Sequence, residues 1–211
     1  MYTIRELEKG TIFMSKEKKD FKFDKMAAGY DDALAGKGSK RFYDLLLREI
    51  EIFPNTKVLD VGCGTGALLG RLADTCPIIG YGIDLEENMI AVAKSKRPDF
   101  NFQKSRCDNT PFEDNEFDII ISCMAYHHFD NKQGFIKEAA RIVKPGGEVY
   151  IVDPRFPWFL RKLMNGVARL ANVAGAFCTP REIEMQFSEA GFSSAGFAYD
   201  GYAQVVKLRR R

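Results

Sequence analysis

Residues 57–66, Lys57-Val58-Leu59-Asp60-Val61-Gly62-Cys63-Gly64-Thr65-Gly66, limit the possible fold more than any other stretch. The apolar start reads as a buried strand, and Ala67 to Asp74 reads as a helix. Between them stand three alternating glycines, which let a backbone take positive φ and approach a bulky ligand closely. The helix start adds unpaired N–H groups. A plain tight turn would need no ligand. Gly62-x-Gly64-x-x-Ala67 also satisfies the dinucleotide-binding pattern, so the loop alone leaves the ligand open.

The rest of the chain repeats this alternation. Arg41 to Ile52 is an expected helix, closed by Pro54-Asn55 and preceded by a flexible loop at Ala35 to Ser39. Strands are expected at Ile78 to Ile83, Phe100 to Arg106, Phe117 to Ser122 and Glu148 to Val152. A helix spans Glu86 to Lys96, and another runs from an N-cap at Asp130, with Gln133 as its capping-box partner, to Val143. Pro145-Gly146-Gly147 breaks that helix. Thr179-Pro180-Arg181-Glu182 opens a further one, which ends at Ala190-Gly191. Two strands, Phe192 to Tyr199 and Tyr202 to Leu208, close the chain around a turn at Asp200-Gly201. The pattern implies an α/β, doubly wound, mostly parallel sheet with a terminal hairpin at or near an edge. Ligands of such sheets sit at the carboxyl ends of the strands, where strand order reverses.

Composition narrows the classes. A formal charge of +2 announces no nucleic-acid partner and no acidic lipid. Five cysteines, Cys63, Cys76, Cys107, Cys123 and Cys178, show no CxxC spacing, so neither a disulfide framework nor a metal site is expected. No apolar run reaches the roughly 18 residues of a membrane span. The first residues lack a signal-peptide core, so a cytoplasmic address is expected. Residues 1–40 form an expected N-terminal arm and 41–211 the main domain, with 154–178 inserted as a helical lid.

Two acids sharpen the ligand. Asp84 ends the second strand, where a carboxylate can accept hydrogen bonds from ribose hydroxyls. Asp108-Asn109 follows the third strand, within reach of an adenine amine. Each could instead be a helix cap or a solvated loop residue. Together with the glycines they form one constellation.

At this point the chain resembles a known family. Val58 to Gly66 is similar to the first motif of the class I S-adenosylmethionine-dependent methyltransferases. Gly82-Ile83-Asp84-Leu85 with Asn88-Met89 resembles the second. Cys107 to Phe112 with Phe117 to Ile120, and Val143 to Gly147 with the strand to Asp153, resemble the later ones. Phe23-Asp24 and Tyr30-Asp31 resemble the start of the ubiquinone/menaquinone-biosynthesis-like (type 11) branch. The resemblance implies a Rossmann-like, seven-stranded sheet whose C-terminal hairpin inserts one antiparallel strand. It implies S-adenosylmethionine as cofactor. Asp60, Gly62 and Gly64 would surround its methionine part, and Asp84 its ribose. Leu85 and Met89 would flank adenine, Asp108 and Asn109 would meet its edge, and Tyr30 would close over it.

Methyl transfer from a sulfonium needs chiefly alignment and exclusion of water, and positioning alone can supply about 7–11 kcal/mol. His127 and His128, the only histidines, follow the fourth strand. Either could deprotonate an acceptor as a catalytic base, or simply cap a helix or pack under the cofactor. The apolar spacing of Phe159, Leu160, Leu163, Met164, Val167, Leu170 and Ala171 suits a lid over a small apolar or aromatic acceptor, or a packing or dimer face. Two other classes compete: a non-catalytic S-adenosylmethionine-binding module, and a nicotinamide-dependent oxidoreductase, which would lack an evident Tyr-x-x-x-Lys pair. The expected partner is a small molecule, not nucleic acid or a membrane. The oligomeric state is open.

Overall fold

The structure is a computed structural model that describes residues 34–170 and 176–211, with side chains from 38 to 167 and from 176 onward. Tyr30 and the rest of the expected arm before residue 34 lie outside the described residues. Helix α1 (Leu34–Glu49) precedes β1 (Lys57–Val61), α2 (Ala67–Thr75), β2 (Ile79–Asp84), α3 (Glu87–Lys96) and β3 (Asn101–Lys104). Then come β4 (Phe117–Cys123), a 3-10 turn (Tyr126–His128), α4 (Lys132–Ile142), β5 (Val143–Pro154) and α5 (Trp158–Leu170). Helix α6 (Pro180–Ser188), β6 (Phe192–Asp200) and β7 (Ala203–Arg210) complete the order.

The strands form one seven-stranded sheet in the order β3-β2-β1-β4-β5-β7-β6. Strand β7 runs antiparallel to both β5 and β6, and the other pairings are parallel. The expected Rossmann-like architecture with one antiparallel strand from the terminal hairpin is therefore the observed one. Apolar side chains leave the central strands on both faces, as a parallel sheet requires. Leu59, Ile120 and Ile151 pack with Phe135 and Ile136 of α4 and Ile183 and Phe187 of α6. Val58, Ile121 and Tyr150 pack on the other side with Phe42 and Leu46 of α1, Leu69 of α2 and Ile90 of α3. Strand order reverses between β1 and β4, so a crevice opens at their carboxyl ends.

Four local expectations are corrected. Ala35 to Ser39 is not a loop; it lies in the first turns of α1. Each glycine costs a helix about 1 kcal/mol, but burial of Ser39, Phe42, Leu45 and Leu46 offsets that cost. The cap of α4 is Asn131, whose Oδ1 accepts from Gly134 N at 2.9 Å, not Asp130. The preceding 3-10 turn leaves Asp130 on the crevice wall instead. The segment from Val143 does not simply break the helix: Val143 already pairs with Phe117, and a register shift absorbs Pro145. The hairpin turn lies at Gly201-Tyr202, because Asp200 still pairs with Ala203 and its carboxylate binds Arg41 and Arg48 of α1. The cap of α6 follows its sequence: Thr179 and Glu182 form the reciprocal capping box, with Pro180 at the first helical position.

Candidate functional site

The site begins where β1 ends. Gly62 N and Cys63 N both donate to the carbonyl of Ile83, at 2.8 and 3.0 Å, which folds the loop back onto β2. Gly62 has φ +80°, and a Cβ there would stand 2.4 Å from Cβ of Ala125. Gly64 has φ +51°, and a Cβ there would meet nothing within 4 Å. The first glycine is thus required by packing, whereas the second keeps an open space clear. Replacing Gly62 with Ala should cost about 1–3 kcal/mol of stability by urea unfolding, from left-handed backbone plus the clash. Gly64→Ala should cost about 1 kcal/mol, the backbone part alone.

Asp84 ties the loop in place. Its Oδ2 accepts from Gly64 N and its Oδ1 from Glu86 N, both at 2.9 Å. Behind the loop lies Asp60, only 2% exposed, whose Oδ1 has no hydrogen-bond partner. Burial, with a smaller contribution from the nearby Asp84 charge, pushes its pKa up to about 8. A sealed carboxylate with an orphaned oxygen at the root of the glycine loop suits a cationic ligand group such as an ammonium.

The cavity holds about 240 Å³. Gly62, Gly64, Asp84, Leu85, Met89 and His128 line it, so six of the residues expected from the sequence meet there. Asp60 lies outside the lining. Asp108 also stands off it: Arg106 Nε and Nη2 hold its two oxygens at 2.8 and 2.9 Å, and Asn131 Nδ2 adds a third bond. These partners keep its carboxyl below the usual range. Ser105, Arg106 and Cys107 line the cavity at this point, and Asn109 binds back through its carbonyl to Ser105 Oγ.

The two histidines divide. His128 is on the cavity wall, and burial pushes its pKa down to about 4, helped by His127 and Lys132. His127 lies behind it, ring centroids 4.0 Å apart, with Nδ1 2.9 Å from Oδ1 of the buried Asp153. Phe177 stacks on the His127 ring at 4.8 Å. Met124 and Phe129, from the stretch after the fourth strand, also line the cavity, as do Ser39 and Tyr43 of α1 and Asn131, which were not anticipated. Asp153 ends a parallel strand on the ligand side of the sheet, and that position is the signal that singles it out. Among the described residues, none from 154 to 178 lines the cavity, and no group of His, Cys, Asp or Glu could hold a metal ion. No described helix is long and apolar enough to cross a membrane.

Comparison with known proteins agrees with this geometry. Residues 59–151 match the family model of the methyltransferase domain. The chain is 30% identical over 142 residues to a demethylmenaquinone methyltransferase of Chlorobaculum parvum, covering 64% of this chain and 59% of that protein. It is 34% identical over 119 residues to phosphoethanolamine N-methyltransferase 3 of Arabidopsis thaliana, covering 54% of this chain and 24% of that protein. A SAM-dependent methyltransferase from Aquifex aeolicus has the same fold, with a TM-score of 0.69 at 21% identity over 89% of this chain and 98% of that one. The chain thus spans less than two thirds of the curated relatives named here. The matched stretch spans the glycine loop, Asp84 and the strand to Ile151, so the part of the chain that builds the crevice is the part that is similar to methyltransferase domains.

Proposed function

We propose that this domain transfers the methyl group of S-adenosylmethionine to a small, apolar or aromatic acceptor. The observation that carries the reading is the orphaned, buried Asp60 at the root of a glycine loop that leaves open space at Gly64. A dinucleotide has no ammonium to meet such a carboxylate; the methionine part of S-adenosylmethionine has one. When bound, the cofactor supplies a methyl group already activated on a sulfonium.

The chain's own residues do the rest. Asp60, Gly62 and Gly64 take the methionine part. Asp84, anchored by its backbone bonds from Gly64 and Glu86, takes the ribose hydroxyls. Leu85 and Met89 flank adenine, with the 105–109 turn along its edge. In that turn Asp108 braces Arg106 and Asn131, and Ser105, Arg106 and Cys107 form the wall. Met124, Ala125 and Phe129 give the remaining surface an apolar character that suits an apolar acceptor. The relatives named for demethylmenaquinone and for phosphoethanolamine point to different acceptors, and this wall favours the former chemical class.

His128 is the histidine that takes the acceptor's proton. It is neutral well above pH 4, so it can accept one. The hydrogen-bonded pair of His127 and Asp153 packs behind its ring and holds it in place. Calorimetry with S-adenosylhomocysteine and with NADH tests the cofactor: binding of the first and not the second is expected. Mass spectrometry of a phenol, quinol and amine panel tests the transfer. Binding without any methylated product would leave a binding module, and tight NADH binding would overturn the reading. His128→Gln should lower kcat by about 10²–10⁴-fold while cofactor affinity stays within about twofold. An equal loss of cofactor affinity would assign that histidine to packing.

A further inference from the structure

Helix α5 presents its apolar side to solvent. Trp158, Phe159, Leu163 and Val167 are 73%, 60%, 63% and 57% exposed. With Lys162 and Gly166 they line a shallow depression on the outer surface. The helix is held from its other side. Arg161 Nη1 binds Glu182 at 2.7 Å, and Asn165 makes two hydrogen bonds with the backbone of Phe177, at 3.0 and 3.1 Å. These bonds fix which face points outward.

The charge around that face is one-sided. Lys162 lines the depression and Arg155 precedes the helix, whereas Arg161 is paired with Glu182 on the other side; no Asp or Glu occurs between Pro154 and Arg181, in a chain that is otherwise nearly balanced. Exposed aromatics continue the surface at the helix start. The Arg155 guanidinium sits 4.1 Å over the ring of Tyr199, and Arg155 N donates to the carbonyl of Tyr202 at 2.7 Å. Both tyrosines are partly exposed.

A helix with Trp, Phe and Leu on one side and only cations beside them fits the headgroup region of a bilayer. Its 13 residues reach about 20 Å, too short to span the hydrocarbon but long enough to lie along it. A second copy of the same face would oppose lysine and arginine to their equivalents, whereas an anionic surface complements them. We propose that α5 docks this protein on an anionic lipid bilayer, with Trp158, Phe159, Leu163 and Val167 inserted at the interface. This departs from the absence of a membrane partner expected from the sequence. Phe177, bonded to α5, stacks on His127, so docking would set the acceptor side of the site against the membrane. That last clause rests on the proposed methyl transfer; the docking itself does not.

Trp158 is the only tryptophan, so its emission reports on the face directly. The full chain is mixed with vesicles of phosphatidylcholine alone or with about 30% phosphatidylglycerol. On the anionic vesicles a blue shift and quenching by brominated acyl chains are expected, with affinity at least about tenfold above that for neutral vesicles and weakened by salt. Phe159→Ser with Leu163→Ser should lose at least about tenfold of this binding and leave S-adenosylhomocysteine affinity unchanged. An emission unaffected by either vesicle overturns the proposal. So does a shift that follows protein concentration without lipid, which would assign the face to a second copy. So does an emission already blue and insensitive to lipid, which would mean that another part of the chain covers it. Lipid binding without S-adenosylhomocysteine binding would sink the proposed function and spare the docking; the reverse would sink the docking alone.

Discussion

Asp84→Ala is expected to weaken S-adenosylhomocysteine binding by about 10²–10³-fold, since hydrogen bonds to a charged group contribute about 1.5–3 kcal/mol each. Two ribose hydroxyls are at stake. The carboxylate also holds Gly64 N and Glu86 N, so its removal lets the glycine loop drift as well as losing the sugar. The variant should therefore lose about 1–3 kcal/mol of stability, because two partly buried N–H groups lose their acceptor. Asp84→Asn separates the two effects. Its amide oxygen can still accept from one N–H, so stability should recover more than affinity does. Calorimetry and urea unfolding on both variants read this out. Near-wild-type affinity in the alanine variant would remove Asp84 from the ribose site and leave it a purely structural tie.

Affinity for the same ligand is expected to fall as pH drops below about 8, by up to about tenfold per pH unit. Asp60 is the reason. Burial raises its folded-state pKa to about 8, from an ordinary value of 3.8, so the empty protein holds it protonated at neutral pH. An ammonium in the cavity favours the ionised form, and binding must then release that proton. The release can be measured by calorimetry in buffers of different ionisation enthalpy. The stability sign follows from the same shift. A raised carboxyl pKa gives Asp60 its best contribution below about pH 4, and that contribution is lost as pH rises through 8. Asp60→Asn should therefore raise the melting temperature of the empty protein at pH 8–9, change little at pH 4, and flatten the pH dependence of binding. A variant that binds as tightly as the parent at every pH would place the cationic group of the ligand elsewhere.

These two carboxylates show why one chain can be read so unevenly. Both stand at strand ends, and strand ends are legible from apolar runs and glycines. Asp84 also faces its backbone partners only two and twenty residues away in sequence. The isolation of Asp60 depends on packing: its oxygen is orphaned by how β1 is sealed between neighbouring strands and α1 to α3, a matter of distant residues closing on one point.

The strand-and-helix alternation, the glycine turn, the capping box at Thr179 and the terminal hairpin were all legible, because each rests on neighbours within a few residues. From them follow the sheet, its reversal between β1 and β4, and the crevice there. Long-range contacts settled the rest. They drew Ala35 to Ser39 into a helix through burial of α1, joined Asp108 to Asn131 and His127 to Asp153, and left the apolar side of α5 outside. Local propensity amounts to a few tenths of a kcal/mol per residue, whereas burying one large side chain contributes about 1.5–3 kcal/mol. Spacing along the chain therefore announces which side of a helix is apolar. Whether that side meets protein or solvent depends on what the remainder of the fold brings to it.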